Sequence, residues 1–165
     1  MLIDTHSHIY SEDFLQDRDE ALQRAYDHGI KKIILPNIDS GSIKHMLDLA
    51  DAYPHLCYPL MGLHPTSVDE EYKEELHAVE YWLEKRKFYG IGEIGIDLYW
   101  DKKFEKEQKE AFRYQIQLAK KYQLPIVVHV RNSFNETFEI VKEEHDGSLK
   151  GIFHCSPFWV VCRLF

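Results

Sequence analysis

Cysteine is scarce in this sequence, long hydrophobic runs are absent, and positive charge is in short supply. Three cysteines, Cys57, Cys155 and Cys162, stand in 165 residues. An odd number without zinc-like pairing argues against a disulfide framework. No apolar run reaches membrane-spanning length, and the polar, acidic stretch from Asp4 onward leaves no signal-peptide pattern. A cytoplasmic chain without a membrane partner is therefore expected. Twenty Lys and Arg against 28 Asp and Glu give a net charge of −8, which argues against a generic basic nucleic-acid-binding module. That balance still admits a nuclease whose phosphate contacts come from metal ions and a few local cations. Repeats, low-complexity tracts and linkers are missing too. With 44% hydrophobic and 13% aromatic residues, the chain has the material for one folded domain with a real core.

What is present is alternation. Short β-branched runs at 2–4, 32–36, 57–61, 89–91, 126–130 and 151–154 read as strands. Charged segments of helical period lie between them at 13–28, 43–53, 69–86, 104–122 and 133–144. Phe104, Phe112, Gln115, Ile116 and Ala119 fall close to one face of the fourth helix. Strand–helix alternation of this kind predicts parallel pairing with right-handed crossovers, hence an α/β fold. Six strands and five helices fit either roughly three quarters of a TIM-type (β/α)8 barrel or a complete open doubly wound sheet.

In parallel α/β folds, function gathers at the carboxyl ends of the strands. Those ends carry His6 and His8, His64 in "MGLHP", Glu93 in "GIGEIGID", His129 in "IVVHVR" and His154 in "GIFHC". Each has a plainer reading. His6 and His8 could be hydrogen-bonded strand-end residues, Glu93 a solvated loop carboxylate, and His129 and His154 satisfied core histidines. The joint pattern weighs more, because several independent coincidences at one end of successive strands would be needed. Alternation puts His6 and His8 on one strand face, within reach of a single ion. Imidazole and carboxylate suit zinc, manganese or iron, and a carboxylate can bridge two ions. A two-metal site lowers the pKa of a bound water and stabilises attacking and leaving oxygens of a phosphoester. His28, His45, His55, His77 and His145 fall on helices or their ends and read as surface residues.

The segments "IDTHSH", "GLHP", "GEIGIDLYW", "PIVVHVR" and "GIFHC" resemble, in order and spacing, the motifs of TatD-type metal-dependent deoxyribonucleases, members of the amidohydrolase-like barrels. The resemblance covers residues 1–155. It implies a TIM-type barrel, incomplete here at about six strands, that hydrolyses DNA phosphodiester bonds from a 3′ end. Two divalent ions (zinc, manganese, magnesium or iron) are implied as cofactors. Carried over by position, His6, His8 and Glu93 would hold one metal, and His129 and His154 the second, with Glu93 bridging. Arg131 and His64 would face the substrate phosphate. Asp97 and Tyr99 match the stretch after Glu93, where ordering of a loop and substrate contact are both open.

The family continues for further strands, and one of them carries an aspartate that ligates metal and acts as general base. No residue here matches it, so the expected general base lies beyond Phe165 and low activity is expected. Residues 156–165 read as a non-family tail: Ser156-Pro157 stand where the family commonly has Phe-Ser, as a one-nucleotide deletion would produce. An open barrel edge there predicts self-association. The acidic surface favours a frayed or single-stranded DNA end over tight duplex binding. Two other readings stay open: a metal hydrolase of amides, lactones or small phosphoesters on the same scaffold, and a non-catalytic metal-binding fragment. Glu93 favours the nuclease over hydrolases that bridge their metals with a carbamylated lysine. Resequencing the gene checks the tail: an uninterrupted frame with a natural stop after Phe165 overturns the deletion.

Overall fold

A computed structural model of the chain describes residues 1–154, so the expectation for the 156–165 tail lies outside the described residues. Six strands, β1 (Leu2–Asp4), β2 (Ile30–Leu35), β3 (Cys57–Pro59), β4 (Ile91–Asp97), β5 (Ile126–Arg131) and β6 (Gly151–His154), alternate with five helices. The helices are α1 (Arg18–Asp27), α2 (Ser40–Ala52), α3 (Tyr72–Lys85), α4 (Glu105–Tyr122) and α5 (Phe134–Glu144). Every strand pair is parallel and joins consecutive strands, in two sheets ordered β1-β2-β3 and β4-β5-β6. Among the described residues the sheets meet at a bridge between Met61 and Ile91. There the Met61 amide donates to the Gly90 carbonyl at 3.1 Å and the Gly92 amide to the Met61 carbonyl at 3.0 Å. Strands in chain order with a helix after each of the first five are the wall of a (β/α) barrel, incomplete over six strands.

The elements follow from their residues. β5, "IVVHVR", is buried over its first five positions, as a β-branched run in a parallel strand covered on both faces should be. Asp39 caps α2 by accepting from the Ser42 amide at 3.0 Å, while the Ser42 hydroxyl accepts from the Asp39 amide at 3.2 Å. This reciprocal box satisfies amides that the first turn leaves open. α4 ends where Gln123 turns left-handed at φ 55°, two residues before Pro125, which leads into β5. Phe112, Gln115, Ile116 and Ala119 are buried on one face of α4, and Phe104 packs partly buried beside the core.

Most boundaries fall within about three residues of the sequence reading, and two differ by more. The first helix was expected from Asp13, but a one-turn 3-10 helix at Glu12–Phe14 precedes α1, which begins at Arg18. Arg18 explains the break, because its guanidinium donates at 2.9 Å to the carbonyls of Ile9, Tyr10 and Ser11 and holds that loop out of helical geometry. The fourth strand was expected at 89–91, but β4 runs from Ile91 to Asp97 and is buried throughout. Its glycines disguise it by composition while making it fit. Gly95 has φ +138°, and a Cβ there would lie 2.2 Å from the carbonyl oxygen of His129 on β5. Only glycine lets the two strands close at that point.

Gly95→Ala should therefore cost about 3 kcal/mol or more in urea unfolding, from left-handed strain and steric overlap together. Gly41→Ala, where the nearest atom stands 3.4 Å away, is the control and should be close to neutral.

Candidate metal centre

Glu93 sits inside β4 with 2% of its surface exposed, a position where an unpaired carboxylate would be very costly. Its backbone is fastened first. The Glu93 amide donates to the Asn37 carbonyl at 3.2 Å, and the Asn37 amide donates to the Gly92 carbonyl at 3.0 Å. Asn37, just past β2, is fully buried and spends its side chain on the carbonyls of Gly62 (2.8 Å) and Asp39 (3.0 Å) and on the Ser42 hydroxyl (2.9 Å). The carboxylate then meets four imidazoles. Oε2 lies 3.1 Å from His6 Nε2, 3.7 Å from His8 Nε2 and 3.6 Å from His64 Nε2, while Oε1 lies 3.0 Å from His129 Nδ1. Burial alone would push the carboxyl up, but hydrogen bonding from His129, His6 and His8 outweighs it and holds Glu93 far below the usual carboxylate range.

The outer partners of the imidazoles sort their nitrogens. His8 Nδ1 is 2.8 Å from the Tyr10 hydroxyl, which itself donates to the Pro36 carbonyl at 2.5 Å. Tyr10 must accept from His8, so His8 carries a hydrogen on Nδ1 and turns Nε2 inward. Burial pushes the Tyr10 phenol up and keeps its proton in place. His129 turns Nε2 to Asp97 Oδ2 at 2.8 Å, leaving Nδ1 toward Glu93. Burial pulls His129 down, yet the adjacent Glu93 and Asp97 carboxylates raise it above the ordinary imidazole value.

His64 is built the other way round. Its Nδ1 accepts from the Thr66 amide at 3.2 Å as the cap of a one-turn 3-10 helix, Pro65–Ser67. Its hydrogen is therefore on Nε2, pointing inward, 3.2 Å from His129 Nδ1. Burial pushes His64 down to about 4, so it is a neutral donor.

The side chains fit a divalent cation. His6 Nε2, His8 Nε2 and Glu93 Oε2 converge within 4.8 Å of one another, as do ligand atoms of His64, Glu93 and His129. The two histidine nitrogens of the first group stand 3.1 Å apart, and two imidazoles with a carboxylate are a borderline-to-hard transition-metal set. The buried Nδ1 of His6 has no hydrogen-bond partner among the described residues. His154 lies opposite His129 in the β5–β6 register. Its ring, however, stacks parallel on His6, at 3.6 Å and 4°, outside both three-residue groups. Burial lowers its basicity. Arg131, at the end of β5, rests its guanidinium 3.7 Å over the Tyr99 ring. Among the described residues it has no carboxylate partner, whereas Arg18, Arg24, Arg86 and Arg113 are all engaged. His28, His45, His55 and His77 are exposed as expected, while His145 is partly buried.

Several working residues escaped the sequence reading. The sequence leaves Asp97 open between loop ordering and substrate contact; in the structure it is the carboxylate behind His129. Its signal was the four-residue spacing from Glu93, which puts both carboxylates on one face of a strand. Tyr10 follows His8 by two, the same alternation. Gln108 and Gln115, one heptad apart on α4, accept from the amides of Asp97 (2.9 Å) and Leu63 (2.7 Å), fixing the backbone beside the two inward-facing elements.

A family model described as "TatD related DNase" matches residues 3–162. The chain belongs to this family. Among its relatives, the Bacillus subtilis protein described as "Uncharacterized metal-dependent hydrolase YabD" is 34% identical, over 94% of this chain and 60% of the relative. The Salmonella typhimurium "3'-5' ssDNA/RNA exonuclease TatD" is 30% identical, over 93% of this chain and 59% of its own length. The crystal structure of the Escherichia coli TatD homologue YjjV superposes with a TM-score of 0.80 at 33% identity, covering 87% of this chain and 56% of that one. The chain thus spans about 60% of the length of the curated relatives it matches. The TatD-related family is one of metal-dependent hydrolases, and the carboxylate–imidazole cluster of this member is a group that could hold a metal ion.

Asp97→Asn removes the anionic acceptor that orients His129 and should lower divalent-metal affinity roughly 10- to 100-fold in a chelator competition. Exchange at exposed His77 should leave that affinity unchanged.

Proposed function

We propose that the chain binds divalent ions at Glu93 and presents them to a phosphodiester of single-stranded nucleic acid, as a nuclease or part of one. His6, His8 and Glu93 would hold one ion, with Glu93 bridging toward His129 and His154 for a second. Bound there, such ions supply Lewis acidity toward a phosphate ester. The chain's own residues supply the rest. The ring orientations of His8 and His129 are set before any ion arrives, by Tyr10 and Asp97. His64 aims Nε2–H at the same point, a neutral donor suited to a phosphate oxygen.

The observation that carries the substrate class is Arg131. In a chain of net charge −8, its guanidinium is held at the mouth by a ring face and, among the described residues, has no carboxylate partner, which leaves its N–H fork for a phosphate. A neutral lactone or amide would have no use for it. Among the described residues, the carboxylates within ion-pair distance of the cluster's imidazoles are Glu93 and Asp97. Both are committed, so general-base duty has no separate holder there and turnover should be slow.

The test is degradation of a 3′-labelled single-stranded oligonucleotide by the purified chain with added divalent metal, run beside a lactone and an amide substrate. Slow cleavage of the oligonucleotide alone is expected. Arg131→Ala should lower kcat/KM roughly 10- to 100-fold, the worth of one charge-assisted contact, while leaving metal content unchanged. Cleavage of the lactone or amide, or bound metal with no cleavage of any substrate, defeats the nuclease reading.

A further inference from the structure

Directly after β4, which carries Glu93 and Asp97, the chain turns outward and exposes two aromatic side chains in succession. Tyr99 is 50% and Trp100 is 71% accessible. Their rings meet edge to face at 4.8 Å. The Arg131 guanidinium lies 3.7 Å over Tyr99 and 5.1 Å from the centre of Trp100. The two rings therefore differ in how they are engaged: Tyr99 is faced by the guanidinium, and Trp100 keeps most of its surface open. Trp100 also forms one wall of a cavity of about 280 Å³. Pro65, Val68 and Phe104 give that cavity apolar sides, and it reaches inward to Asp97, whose Oδ2 lies 2.8 Å from His129 Nε2. A planar group lodged there is separated from the reacting centre by one carboxylate and one imidazole.

Exposing an indole to water at the mouth of a polar site calls for an explanation, because isolated apolar exposure is ordinary but an aromatic pair beside an unpaired guanidinium is not. An open aromatic face beside a phosphate-ready cation is the pairing with which single-stranded nucleic acid is gripped. The backbone is neutralised while a base stacks, without regard to which base it is. We propose that Trp100 is the base-stacking residue of this site, taking the nucleobase adjacent to the phosphate held by Arg131, and that Tyr99 serves to hold the guanidinium in place. The assignment rests on the nucleic-acid reading above and extends it to a specificity-determining residue: Trp100 makes the site prefer strands that carry bases, of any sequence.

The experiment is a tryptophan-fluorescence titration of the metal-loaded chain with a cleavage-resistant phosphorothioate oligothymidylate, repeated with an abasic strand of equal length and charge. The parent chain should be quenched by the oligothymidylate and bind it more tightly than the abasic strand. Trp100→Ala should weaken oligothymidylate binding roughly 5- to 100-fold, the range for loss of one stacked base. It should also abolish most of the quenching and leave abasic binding unchanged, whereas Trp100→Phe should retain most of the affinity. Tyr99→Leu should weaken both strands alike, since it loosens the phosphate contact. If the parent binds both strands and Trp100→Ala binds each of them as the parent does, the stacking assignment is wrong while the nucleic-acid reading survives. Equal losses on both strands for Trp100→Ala also overturn it. If the parent binds neither strand, both readings fall together.

Discussion

A carboxylate with 2% exposure has to be answered by its surroundings, and much of this fold can be read as that answer. Transfer of an unpaired carboxylate into a protein interior costs more than a domain of this size can spare. Glu93 is tolerated because His6, His8, His64 and His129 arrive at its two oxygens from other parts of the chain. Convergence from so far apart in sequence requires strands of fixed register, and the glycines of β4 exist to let that register close. Gly95 admits the His129 backbone, and the Gly92–Glu93 segment, where the pairing with β5 shifts register, is bonded instead to Asn37 and Met61.

The same constraint explains why polar side chains are found where the core should be apolar. Gln108, Gln115 and Asn37 are buried, and each is spent on main-chain groups next to a functional residue rather than on the site itself. Removing the acceptor would strand a buried amide at a cost of about 1–3 kcal/mol each. These residues are thus part of the architecture of the site as much as the imidazoles are. α4, the longest helix, contributes two of them from one face while its apolar residues anchor it to β4.

The strand–helix alternation and the residues gathered at the strand ends were legible in the sequence, because β-branched runs such as "IVVHV" and the histidines that follow them carry strong local signals. β4 was misplaced since its glycines lower strand propensity, and the reason they are tolerated is a contact with β5 that no local pattern contains. The tautomers of His8, His64 and His129 were not legible at all. They depend on Tyr10, Thr66 and Asp97, of which only the alternation of His8 with Tyr10 and the spacing of Asp97 from Glu93 left any trace. Position alone also missed the orientation of His154, which shares a register with His129 yet lays its ring on His6. The resemblance of five ordered motifs supplied the family; the side-chain geometry supplied the separation of donors from ligands.

The Met61–Ile91 bridge and a few backbone hydrogen bonds at Pro59 and Asn37 join the two three-stranded sheets, and the candidate ligands are divided across that seam. His6 and His8 follow the first strand of the first sheet, and Glu93, His129 and His154 belong to the second. An ion gripped from both sides would act as a rivet through that seam. Chelation would then do more than empty a pocket. It would unfasten two halves of a wall, so that the metal content of the protein and its mechanical integrity would rise and fall together.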